Sequence, residues 1–149
     1  MCGIAGVVEY GWTNGRIDAT DLIRMRETLH HRGPDGEGLH ITEDRKVGLA
    51  HRRLSIVDIE GGAQPMFGSR GEVLVFNGEI YNYPQLRLDL EKNGAKFATT
   101  CDTEVILHLY SAHGRQCVNH LEGMFAFAIW DPNVEELYFA RDRVGEKPL

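Results

Sequence analysis

An α+β fold, with antiparallel sheets carrying helices on their outer faces, is predicted by three observations. Strand-like runs outnumber helical ones, each run is short, and the helices do not alternate with every strand as a wholly parallel sheet would require. At 149 residues, 42% hydrophobic and 26% charged, the chain has the size and composition of one globular domain with a real core.

The first run, Gly3-Ile4-Ala5-Gly6-Val7-Val8, reads as a strand, and Tyr10-Gly11-Trp12-Thr13-Asn14-Gly15 as a turn. A helix is expected from Ala19 to His31, capped by Asp18, with Leu22, Met25 and Leu29 on one face and Gly33-Pro34 as its stop. The stretch from His31 to Gly38 is too rich in turn formers for regular structure. It lacks the Lys-Ser/Thr and following helix of a phosphate loop, so it reads as a loop containing Arg32. Short strands are expected at Val47 to Arg52 and at Val73 to Phe76, separated by Leu54-Ser55-Ile56-Val57-Asp58 and a turn around Gly61-Gly62. Pro84 and Gly94 bracket a short helix carrying Leu86 and Leu90. A second helix, Thr103 to His113, has Val105, Ile106, Leu109 and Tyr110 at helical spacing and Gly114 as its stop. The apolar run Met124 to Trp130, the turn Asp131-Pro132-Asn133 and the run Leu137 to Ala140 predict a buried hairpin.

Charge and cysteine usage narrow the function classes. The net charge of −6, from 16 basic and 22 acidic side chains with no basic block of five or more, argues against a nucleic-acid partner. No apolar stretch is long enough to span a membrane and no charged-then-apolar leader is present, so neither export nor anchoring is expected. Three cysteines, Cys2, Cys101 and Cys117, have no paired spacing and predict reduced thiols in a cytoplasm. Cys117 with His120, and His30, His31, His108 and His113, form no four-ligand zinc set, so no metal is expected.

Cys2 is the first nucleophile candidate. With Met1 removed it would carry a thiol and a free α-amine on adjacent atoms. Ordinary pKa values of about 8.5 for a thiol and about 7.7–8.0 for an α-amine place proton exchange between them near neutrality. One residue could then serve as nucleophile and base. The alternative is a small apolar residue starting a strand.

Polar clusters at strand ends support the chemical reading. Arg52 and Arg53 lie beside a predicted strand, and alternation sends them to opposite faces, leaving at least one for an anion. Asn77-Gly78-Glu79 ends a buried strand with an amide side chain and an unobstructed backbone N–H, the parts of an oxyanion site. A tight turn is the plainer reading there. Asp102 opens the second helix and reads either as its N-cap or as a binding carboxylate.

The sequence closely resembles the N-terminal glutaminase domain of glutamine-hydrolysing asparagine synthetases, class II glutamine amidotransferases of the N-terminal-nucleophile hydrolase fold. The resemblance is carried by Met1-Cys2-Gly3-Ile4-Ala5-Gly6, His31-Arg32-Gly33-Pro34-Asp35, Ala50-His51-Arg52-Arg53-Leu54-Ser55-Ile56-Val57-Asp58, Phe76-Asn77-Gly78-Glu79-Ile80-Tyr81-Asn82, Asp102-Thr103-Glu104-Val105-Ile106, Gly123-Met124-Phe125-Ala126-Phe127-Ala128 and Arg141-Asp142-Arg143-Val144-Gly145. It implies a four-layer αββα sandwich and hydrolysis of the L-glutamine side-chain amide. In that scheme Cys2 attacks, and Asn77 and Gly78 hold the oxyanion. Arg53 grips the α-carboxylate, Asp102 and Glu79 face the α-ammonium, and Leu54, Ile56 and Val57 line the pocket largely through backbone groups. Arg53 rather than Arg52 follows from the match of Arg53-Leu54-Ser55-Ile56-Val57-Asp58, since alternation alone does not choose.

The resemblance also implies a synthetase domain in the same chain, which would use the ammonia with ATP and Mg to amidate aspartate. No cofactor is expected in residues 1–149, and a homodimer is among the assemblies it allows. Against the family pattern, residues 1–149 read as a glutaminase domain incomplete at its C-terminus. An amide hydrolase with another substrate, and a non-catalytic remnant or partner-binding module, are the competing readings.

Overall fold

Alternation along one strand divides the protein into two cores. In the run from Val73 to Ile80, Val73 and Val75 face Val47, Leu49 and Ala128. Leu74, Phe76 and Ile80 face Val105, Ile106, Leu109, Phe125, Phe127 and Ile129. The structure, a computed structural model, describes residues 1–10, 15–55 and 61–149. Its elements are β1 (Gly3–Val8), α1 (Ala19–Glu27), β2 (Gly36–Ile41), β3 (Val47–Arg53), β4 (Met66–Phe67), β5 (Val73–Ile80), α2 (Tyr83–Lys92), α3 (Asp102–His113), a 3-10 helix (Gly114–His120), β6 (Gly123–Asp131) and β7 (Glu136–Arg141).

The strands form two antiparallel sheets, ordered β1-β3-β2 and β4-β5-β6-β7. β1 and β3 pack against β5 across the middle, α1 covers the outer side of β1 and β3, and α3 covers β4 and β5 with α2 beside it. These are the four expected layers. A glycine allows the close seating of α1: a Cβ at Gly48 would stand 2.7 Å from Leu22 Cδ2. Between the sheets, on the side of β1 and β7, lies an apolar cleft of about 490 Å³ lined by Ile4, Leu49, Val75, Leu137 and Phe139. Among the described residues no helix is long and apolar enough to cross a membrane.

Several expectations need correction. α1 stops at Glu27, and the chain continues to Gly33 in tight turns such as His30 N–H to Glu27 O (3.1 Å) and Arg32 N–H to Leu29 O (2.9 Å). Met25 is 40% exposed, because the inner face of so short a helix is taken by Leu22 and by Arg26, which pairs with Glu27 and Glu37. The expected loop from His31 to Gly38 gives its last three residues to β2. They pair with Arg53, Arg52 and His51, so a neighbouring strand overrides the turn-forming composition. β4 and the 3-10 helix have no counterpart in the sequence reading. The turn at Gly11 to Asn14 and the segment Ile56 to Asp58 lie outside the described residues.

Candidate active site

The site gathers where β1 begins, β3 ends and β5 presents its unpaired edge. Gly3 pairs with Arg52, so Cys2 stands level with the end of β3. Its thiol lies against the backbone of Leu54, which donates its N–H at 3.4 Å and offers its carbonyl at 3.8 Å. Arg32, from the turn after α1, donates through Nε to the Cys2 carbonyl oxygen at 3.0 Å.

The register of β5 determines which backbone groups face this point. Asp142 N–H donates to Phe125 O at 2.8 Å, and Phe125 N–H donates to Asp142 Oδ2 at 3.2 Å, so the Phe125 backbone is turned toward β7. Its partner Gly78 is therefore turned away from β6. The same holds for Phe76 and Ile80. Phe76 N–H donates to Gln64 Oε1 at 2.6 Å and Ile80 N–H to Asp102 Oδ2 at 2.9 Å. Between them the Gly78 N–H has no acceptor among the described residues. Gly78 also has no room for a side chain, since a Cβ would lie 2.2 Å from Met124 O. Asn77 is 3% exposed, and its amide makes no hydrogen bond to a described residue.

Cys2, Asn77 and Gly78 line one small pocket with Arg53, Leu54, Glu79, Asp102 and Lys147. The structure thus brings together every described residue proposed from the sequence. Ile56 and Val57 lie outside the described residues. The N-cap reading of Asp102 does not hold, because Cys101 occupies the cap and Asp102 is the first helical residue, reaching across to β5. Burial pushes the Asp102 carboxyl up, the nearby Glu79 charge adds to this, and the Ile80 N–H opposes it. Two carboxyls facing one pocket suit a cationic ligand group.

His51 fixes the relation between the two sheets at this end. It is 1% exposed on β3, and its Nε2 lies 3.1 Å from Phe76 O, so that nitrogen carries the proton. Burial lowers its pKa to about 4, the Phe76 carbonyl opposing and the Arg53 charge adding to the fall. The ring is neutral near pH 7 and does not line the pocket.

Two residues of the site escaped the sequence reading. Gln64 lies in a segment without periodicity, and its role as a side-chain acceptor for β5 has no local signal. Lys147, 4% exposed, lies in the irregular C-terminal segment, and among the described residues its Nζ meets only Met124 Sδ at 2.9 Å and Met1 Sδ at 3.3 Å.

Residues 1–149 match the family model described as Glutamine amidotransferase domain. This chain belongs to that family. It is 43% identical over 151 residues to asparagine synthetase [glutamine-hydrolyzing] 2 of Bacillus subtilis (strain 168), a match that takes in all of this chain and 20% of the relative. Against asparagine synthetase [glutamine-hydrolyzing] 3 of Arabidopsis thaliana it is 43% identical over 150 residues, all of this chain and 25% of the relative. The chain therefore spans a fifth to a quarter of these relatives. Among solved structures, the glutamine phosphoribosylpyrophosphate amidotransferase from B. subtilis shares the fold. The TM-score is 0.66 at 24% identity, over 85% of this chain and 34% of that one. For this glutamine amidotransferase domain, the fold and family expected from the sequence are those found.

Proposed function

We propose that this domain hydrolyses the side-chain amide of L-glutamine through Cys2 after removal of Met1. The reading is carried by one observation: Cys2 shares a pocket with two adjacent amide donors, a guanidinium and two carboxyls. A zwitterionic amino acid with an amide side chain needs that set. The freed α-amine of Cys2, on the atom next to its thiol-bearing side chain, is the base for that thiol.

The thiol gives its proton to the amine as sulfur bonds to the amide carbon. Negative charge gathers on the former carbonyl oxygen, where Asn77 Nδ2 and the Gly78 N–H donate to it. The C–N bond breaks, the amine returns the proton to the leaving nitrogen, and ammonia departs. Water then adds to the γ-glutamyl thioester, releasing glutamate and restoring the thiol. Arg53 holds the α-carboxylate in two parallel hydrogen bonds, and Asp102 with Glu79 faces the α-ammonium. Leu54 holds the thiol through its backbone, and Ile56 and Val57 belong to the same glutamine-binding segment.

By likeness to the asparagine synthetases, the ammonia feeds aspartate amidation in a synthetase domain of the same chain, where ATP and Mg would bind. In this reading residues 1–149 act as a glutaminase domain in the cytoplasm. The test pairs intact mass with glutamate release. Loss of Met1 together with release abolished in Cys2→Ala is the expected result. Equal release from Cys2→Ala would remove Cys2 as nucleophile.

A further inference from the structure

Lys147 is a buried charge that lines the pocket of Cys2 and has no part in the glutamine reaction described above. It is 4% exposed, and among the described residues its Nζ touches no oxygen, only two thioether sulfurs. A buried ammonium is normally paired with a carboxylate or a carbonyl, because desolvation without compensation is costly. Thioethers are weak acceptors.

The placement is imposed by the backbone. Asp142 Oδ2 accepts the Lys147 N–H at 3.0 Å, Asp142 Oδ1 accepts the Glu146 N–H at 2.8 Å, and Arg141 Nε donates to the Lys147 carbonyl. These bonds hold Asp142 at about 2: burial alone would raise it, and the Glu146, Lys147, Phe125 and Gly145 N–H groups outweigh burial. The turn is therefore anchored by an ionised carboxylate, and Lys147 extends from it into the pocket of Cys2.

One of the two sulfurs belongs to Met1, the residue that must leave. Its departure removes one of the two groups on Nζ and leaves Lys147 lining the pocket that holds the new N-terminus. A fixed cation there lowers the proton affinity of a neighbouring amine.

We infer that Lys147 supplies the positive charge that keeps the freed α-amine of Cys2 neutral, and so able to take the proton of its thiol. This rests on the reading of Cys2 as an N-terminal nucleophile. Lys147 is a positioning residue in this scheme, acting through the amine and bonding no substrate atom.

Other cations act on the amine in the same direction: Arg32, which donates to the Cys2 carbonyl, and Arg53 at the end of β3, so the Lys147 variants read the share that Lys147 itself supplies. Glu79 on β5 and Asp102 on α3 favour a protonated amine and so oppose Lys147. Asp102 is partly offset by the Ile80 N–H. The ammonium of bound glutamine would offset both carboxyls further.

The test uses chain beginning at Cys2 and two readouts. The first is the acid limb of the kcat/KM profile for glutamine. The second is the pH midpoint of N-terminal acylation by an amine-reactive label, read by peptide mass spectrometry in a Cys2→Ala background, which needs no catalysis. Lys147→Met and Lys147→Gln should each move both midpoints upward by about one pH unit, the scale of a like charge acting across a partly desolvated pocket. Lys147→Arg should leave both in place.

Folded neutral variants with unmoved midpoints would overturn the inference. So would a Lys147→Arg variant that shifts as far as Lys147→Met, because charge would then not be the cause. A moved labelling midpoint in a chain that releases no glutamate would support the effect of Lys147 on the amine and sink the glutaminase reading instead.

Discussion

Arg53 shows how much one side chain can decide at the residue scale. It closes β3 and lines the pocket with Asp102 and Glu79, and in the proposed reaction its guanidinium takes the carboxylate of glutamine while the carboxyls take the ammonium. A guanidinium offers a carboxylate two parallel donors in a planar fork, whereas an ammonium offers a point charge. Arg53→Lys should therefore raise KM for glutamine about 10- to 100-fold, the worth of one charge-assisted hydrogen bond, with a smaller effect on kcat. Steady-state kinetics on the processed chain would check this, and an unchanged KM would take Arg53 out of the site. At this scale the described residues proposed from the sequence meet in one pocket, and an ordered set of short motifs made them legible. Asn77 and Gly78, expected to end a strand or make a turn, instead lie within β5, paired with Ala126 and Phe125. Lys147 was not legible, since its role depends on a turn held by Asp142 and on contact with a residue 146 positions away.

Among the elements, β5 does the most to build the site, and its sequence explains how. Alternating apolar residues feed both cores, while Asn77 and Gly78 interrupt the pattern where the strand reaches the pocket. Gly78 is required by the close approach of β6: an added methyl would stand 2.2 Å from Met124 O and 2.7 Å from Phe125 Cα, both backbone atoms that cannot rotate away. Gly78→Ala should cost about 1–3 kcal/mol of stability by overpacking. Gly36→Ala, where the nearest atom to a new Cβ is Arg53 Cβ at 3.5 Å, should change stability by less than about 1 kcal/mol. Urea unfolding of the pair decides it, and equal midpoints would show that β5 and β6 part readily at this point. The long strands and the helices were legible because their periodicity and stop residues are local. β2 was not, because Gly36 and Gly38 read as turn formers until β3 is beside them. β4 is only two residues long and depends wholly on pairing with β5.

The whole molecule is two sheets closed over an interior, and His51 bonds across it. Its Nε2–H donates from β3 to the Phe76 carbonyl on β5, while its buried Nδ1 finds no partner among the described residues. Among the described residues Nδ1 has no acceptor to donate to, so protonation places a buried charge between the sheets that none of them compensates. The folded pKa of about 4 lies below the ordinary 6.5, so the unfolded chain binds the proton more readily than the folded one. The associated stability is whole above pH 6.5 and is lost as pH falls from there through about 4. Over that window the loss should reach about 3 kcal/mol, taking about 1.4 kcal/mol for each pH unit of difference. Asp142 acts in a separate and lower window, stabilising above its ordinary 3.8 and losing that effect as pH falls toward about 2. Urea midpoints at pH 7.5 and pH 4.5 should therefore separate widely for the native chain and much less for His51→Gln, which keeps a donor but cannot titrate near neutrality. If both proteins lose the same stability over that interval, the acid sensitivity lies elsewhere and His51 only joins the sheets.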